Sequence, residues 1–79
     1  MTNRAEAIAV SRRLLRGFAG APDPRRHAQQ LFSVLVHADG WSGREQDLIA
    51  ELGIWLQGHP QLNQIRGKCE ATLEALAKV

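Results

Sequence analysis

Apolar residues recur at intervals of three and four in four separate stretches, and glycine or proline interrupts the chain between them. This pattern limits the fold more than any other feature of the chain. A period near 3.6 presents one apolar stripe of a helix, whereas a half-buried strand needs alternation with a period of two. The first stretch, about 4–18, carries Ala7, Ile8, Val10, Leu14, Leu15 and Phe18 on one side, with Arg12, Arg13 and Arg16 opposite. Gly20 and Pro22 close it. Asp23-Pro24 opens the second, about 24–38, because an aspartate accepts the orphan amides of a first turn and proline suits its first position. Ala28, Leu31, Phe32, Leu35 and Ala38 face inward there, while Gln29, Gln30, Ser33 and His37 face out. So wide an apolar arc predicts a central helix.

Asp39-Gly40 breaks the second stretch, and the helical period on both sides predicts a helix–helix turn rather than a hairpin. Ser42 and Glu45 stand three apart, the spacing of a capping box. The third stretch, about 43–57, follows with Leu48, Ile49, Leu52, Trp55 and Leu56 on one face, and Gly58-His59-Pro60 stops it. The fourth, about 61–78, sets Leu62, Ile65, Cys69, Leu73 and Leu76 on one stripe against Arg66, Glu70, Glu74 and Lys78. Short connections make consecutive helices antiparallel neighbours. The expected fold is all-α, an antiparallel bundle of about four helices in one domain, 1–79.

A chain of 79 residues has a thin core, since domains this small bury roughly 60% of their unfolded surface. Disulfides or association commonly supply the rest. Cys69 is the lone cysteine, so no internal disulfide forms. That fits a reducing compartment and leaves association, with itself or another chain, as the route to further burial. No apolar run approaches the roughly 20 residues that span a bilayer. Residues 11–16, Ser-Arg-Arg-Leu-Leu-Arg, look like a twin-arginine export signal, but the turn-rich Gly17–Pro24 run takes the place of its apolar stretch. A cytoplasmic protein without membrane association is expected.

Net charge is +2, unevenly spread. Residues 1–26 hold six arginines against Glu6 and Asp23, a net +4; residues 39–51 hold Asp39, Glu45, Asp47 and Glu51 against Arg44, a net −3. The polarity predicts one basic and one acidic surface, although solvated helix faces account for the same residues. Arg4, Arg12, Arg13, Arg16, Arg25 and Arg26 could follow a phosphate backbone. The small total charge and the lack of interleaved aromatics rank nucleic acid behind a protein partner.

Chemistry finds few footholds. His27, His37 and His59 are not spaced one helical turn apart, and a single cysteine builds no zinc knuckle. The Asp39–Glu51 segment is no EF-hand, because Trp41 and Gly43 occupy ligand positions. Asp39, Glu45 and Asp47, with His37, are weak candidates for a divalent cation around the turn; capping and solvation explain the same residues without a metal. No cofactor is expected. Cys69 lies mid-stripe, where a thiol is inert filling, Ser42 reads as a cap, and no glycine-rich phosphate loop is present. The chain is therefore not expected to be an enzyme.

Large side chains outside the stripes are what a binding patch uses. Trp41 sits in a turn, Ile54 points away from the third apolar face, and Val36 leaves the main arc of the second. Val36, Trp41, Ile54 and Trp55 are the candidate partner-binding residues, with Arg12, Arg13 and Arg16 steering an acidic partner. Cover by the first or fourth helix inside one core is the competing explanation. The expected function is a small adaptor, inhibitor or co-chaperone that docks a protein partner, or itself as a homodimer.

Residues Leu31 to Gly40, ending in Ala38-Asp39-Gly40 and followed by Ser42 and Glu45, resemble the central helix–turn–helix of the tellurite-resistance TerB-like domain over about 31–55. The aliphatic residue that family places before the cap is missing here, and the loop is one residue shorter. The resemblance implies a stress-linked helical binding module whose acidic turn, Asp39 and Glu45 onward, takes a metal. The second and third helices are also similar to one tetratricopeptide-like pair closed by Pro60, with Leu48, Leu52 and Trp55 at its offsets. Val36 and Leu48 stand where that motif has small residues, and no second copy follows.

Overall fold

The computed structural model of the protein describes residues 3–20 and 22–78. Four α-helices follow in order: α1, Arg4–Arg16; α2, Pro24–Val36; α3, Gly43–Gln57; and α4, Leu62–Lys78. No strand occurs among the described residues, and an isolated bridge joins Asn3 to Asp39. The expected all-α bundle is the observed one.

Each of the first three helices starts at a side-chain cap. Asn3 Oδ1 accepts the Glu6 amide at 2.9 Å, and Asp23 Oδ1 accepts those of Arg25 and Arg26 at 3.1 and 3.3 Å. Ser42 and Glu45 form the reciprocal box: Ser42 Oγ accepts the Glu45 amide at 3.3 Å, and Glu45 Oε1 accepts the Ser42 amide at 3.0 Å. These bonds satisfy amides that the helix itself leaves without partners. The Asp39-Gly40 turn needs its glycine, whose φ is +94°. After α3 the left-handed position falls on His59, φ 54°, while Gly58 stays at −76°.

The core gathers Leu31, Leu35, Leu52, Ile65 and Leu76, all fully buried. Helix α2 packs against α1, α3 and α4, as its wide apolar arc requires. Three details differ from expectation. First, α1 ends at Arg16 rather than near 18, and a single tight turn, Gly17–Gly20, follows. The Gly17 amide reaches the carbonyls of Arg13, Leu14 and Leu15 together, which tightens the last turn. Phe18 is still buried, edge-on against the His27 ring at 4.6 Å, and His27 Nε2 bonds the Leu14 carbonyl. Second, Leu62 is 52% exposed, because it is the first residue of α4 and the core side of that helix begins at Ile65. Third, two hydroxyls are buried on the core stripes: Thr72, which donates to the Lys68 carbonyl at 2.9 Å, and Ser11.

Ser11 Oγ is fully enclosed and has no hydrogen-bond partner. A buried hydroxyl without a partner costs about 1–3 kcal/mol, and alanine is the better helix former. Ser11→Ala is therefore expected to raise the unfolding free energy by about 1 kcal/mol, read from urea midpoints. A fall would show that the hydroxyl is bonded.

Candidate docking face

The outer side of the α2–α3 pair carries an uncharged surface cleft. A cleft of about 290 Å³ lies there, lined by Phe32 and Val36 of α2, Gln46, Ile49 and Ala50 of α3, and Trp41 between them. None of the six bears a formal charge. Ile54 stands one turn beyond Ala50 on the same side of α3 and is 71% exposed; Val36 is 47% exposed. Helical period explains the placement. Val36 lies beside the arc of α2 that faces the core and Ile54 nearly opposite that of α3, so neither is buried inside its own bundle.

Trp41 is only half exposed. Its indole Nε1 donates to the Leu35 carbonyl at 2.7 Å, Gln46 Nε2 donates to the Trp41 carbonyl at 3.3 Å, and the Arg4 guanidinium lies 5.9 Å from the ring centroid. These contacts fix the ring as one wall of the cleft. The floor depends on a close approach. A Cβ at Gly53 would sit 2.5 Å from Phe32 Cζ, so only glycine lets the Phe32 ring rest on α3.

The structure brings Val36 and Trp41 together in one cleft, leaves Ile54 one turn past the cleft's Ala50, and sets Trp55 apart. Trp55 is half-buried on the α4 side, where Lys68 Nζ lies 6.0 Å from its ring and pairs with Glu51 at 3.1 Å. Arg12, Arg13 and Arg16 are all exposed on α1. Arg12 and Arg16 share a cleft with Leu15, Glu70, Leu73 and Glu74, so carboxylates of α4 border the basic stripe. Phe32 and Ile49 were not singled out from sequence as parts of the face. Their apolar spacing places them in the core, and only the α2–α3 crossing shows that they also line the cleft.

The cation candidates Asp39, Glu45 and Asp47 do not assemble. Among the described residues, no three histidine, cysteine, aspartate or glutamate side chains are gathered as a metal would need. Glu45 is turned inward at 4% exposure, and both its oxygens are engaged: Oε1 by the Ser42 amide, Oε2 by Arg4 Nε at 2.6 Å. Arg4 Nη2 also donates to the Leu76 carbonyl at 3.1 Å, so this arginine ties α1 to α3 and α4.

The Ser42 amide, first, and then the Arg4 guanidinium hold the Glu45 carboxyl below its ordinary 4.5, against the opposing effect of desolvation. A depressed carboxylate contributes stability above its unfolded pKa and loses it as pH falls through the folded value. Urea midpoints should therefore drop below about pH 4.5 more steeply in the wild type than in Glu45→Gln. Parallel profiles would contradict the assignment.

Cys69 is fully buried, and burial pushes its thiol up to about 11. A thiol reagent at neutral pH should label it only under denaturing conditions. Rapid labelling of the folded protein would contradict this placement.

The fold and the face together define a small helical bundle with an uncharged, partly apolar cleft between α2 and α3. Compared with known proteins, the chain matches no family model, no curated protein and no solved structure. The TerB-like and tetratricopeptide-like likenesses rest on their residues alone.

Proposed function

We propose that the protein is a non-enzymatic interaction module that docks a protein partner through the α2–α3 face. The observation that carries this reading is the uncharged cleft of Phe32, Val36, Trp41, Ile49 and Ala50, continued by the exposed Ile54. Apolar side chains clustered on a surface are where binding energy concentrates, and here they cost nothing in buried charge. The nucleophile candidates support the same reading: Cys69 is enclosed and protonated at neutral pH, and Ser42 is occupied as a cap. No helix among the described residues is long and apolar enough to cross a membrane. A cytoplasmic setting is proposed from the single cysteine. Arg13, exposed on α1, would contribute to encounter rate rather than to the docked contact.

Affinity capture with wild type, Ile54→Glu and Arg13→Ala tests this, followed by titration of the purified captured protein. Ile54→Glu is expected to weaken binding by about a hundredfold, the scale of a truncated central contact. Arg13→Ala should change mainly the salt dependence. Binding indifferent to Ile54→Glu, or lost with Arg13→Ala alone, would overturn the docking face.

A further inference from the structure

The cleft between α1 and α4 has two walls of opposite charge. Arg12 and Arg16, one turn apart on α1, form one wall; Glu70 and Glu74, one turn apart on α4, form the other. All four side chains are exposed, and none joins an ion pair or a hydrogen bond among the described residues. Leu15 and Leu73 line the same cleft, whose volume is about 280 Å³. Ile8, seven positions before Leu15 on the same side of α1, is half-buried and continues the apolar floor.

A cleft with this order is complementary to itself. A two-fold axis running along it lays each α1 over the α4 of the other copy and keeps every residue at its own height. Arg12 and Arg16 of each copy then meet Glu70 and Glu74 of the other, and Leu15 comes onto Leu73. α1 begins where α4 ends, since Arg4 Nη2 reaches the Leu76 carbonyl, so the helices that face each other run antiparallel. We infer that a second copy of this chain occupies the α1–α4 cleft, in an isologous dimer held by reciprocal ion pairs on either side of an apolar seam.

Charge complementarity selects this occupant. A ligand of a single sign is repelled by one wall, and an uncharged one desolvates four charges without pairing them. Association also supplies burial that a chain of 79 residues with one free cysteine lacks. The cleft shares no residue with the cleft between α2 and α3, so the dimer leaves both copies of that face uncovered.

Sedimentation equilibrium from micromolar to millimolar protein is the test. The wild type is expected to pass from 8.7 kDa to twice that mass. Arg12→Glu with Arg16→Glu makes both walls acidic, and Glu70→Arg with Glu74→Arg makes both basic. All four positions are exposed, so each variant should keep the helical circular dichroism. Each alone should dimerise about a hundredfold more weakly, because four ion pairs become four like-charge contacts. An equimolar mixture of the two variants should recover the wild-type mass, since every acidic wall then faces a basic one. A wild type of single-chain mass throughout, or a mixture that stays monomeric, would overturn the inference. So would a dimer indifferent to both charge variants and lost with Ile54→Glu, which would move self-association to the α2–α3 face.

Discussion

Gly53→Val is expected to lower the unfolding free energy by about 2 kcal/mol. The new Cβ would lie 2.5 Å from Phe32 Cζ and 2.8 Å from Cε1, well inside contact distance. Either the ring leaves its seat or α2 and α3 separate, and overpacking of this kind costs about 1–3 kcal/mol. Valine recovers about 0.4 kcal/mol through its better helix propensity, too little to change the sign. In a domain of this size the melting temperature should fall by about 10 °C. Phe32→Leu in the same chain removes the far end of the ring and should return part of the loss. The two sites are then coupled by at least about 1 kcal/mol in a double-mutant cycle. Strictly additive effects would mean that the ring does not rest on Gly53.

Leu31→Ala should be more damaging still. Leu31 is fully buried on α2, which, like α4, packs against the other three helices. Truncating such a leucine costs about 2–5 kcal/mol, because transfer energy is lost and a cavity remains. At 0.05–0.15 kcal/mol per residue, the whole domain has roughly 4–12 kcal/mol to lose. The variant is expected to melt on the order of 15 °C lower, and to show reduced near-ultraviolet ellipticity at ambient temperature. A loss below about 1 kcal/mol would show that the core collapses around the vacancy.

Leu31 also shows what the sequence made legible. Position 31 lies in the middle of a wide apolar arc on a helix opened by Asp23-Pro24, and the structure packs that helix against the other three, a place it shares with α4. The capping pair Ser42 and Glu45 was legible for the same reason: its bonds are local, so spacing alone specifies them. Contacts between distant parts of the chain were not. Arg4 and Glu45 are 41 positions apart, and no periodicity links them. Both looked like surface charges, one for a phosphate and one for a cation, until the fold joined them.

The docking face was legible only in part, on the same grounds. Val36 and Ile54 depart from their own helices' arcs, which a helical projection reveals directly. Trp55 lies on its arc, and its neighbours Lys68 and Glu51 come from the α3–α4 side, so it does not join the face. The role of Gly53 depends on which helix crosses it. A glycine inside a helix reads as a weak point from sequence, and only the Phe32 ring above it turns it into a requirement.

The central claim is that this protein works through the α2–α3 side of its bundle. Carbene footprinting at one chain concentration, without and with a captured protein, tests it most directly. Phe32, Val36 and Ile54 are expected to lose labelling on assembly while Arg12, Arg13 and Arg16 keep theirs. Protection confined to the α1–α4 side, with Ile54 labelled as before, would contradict it.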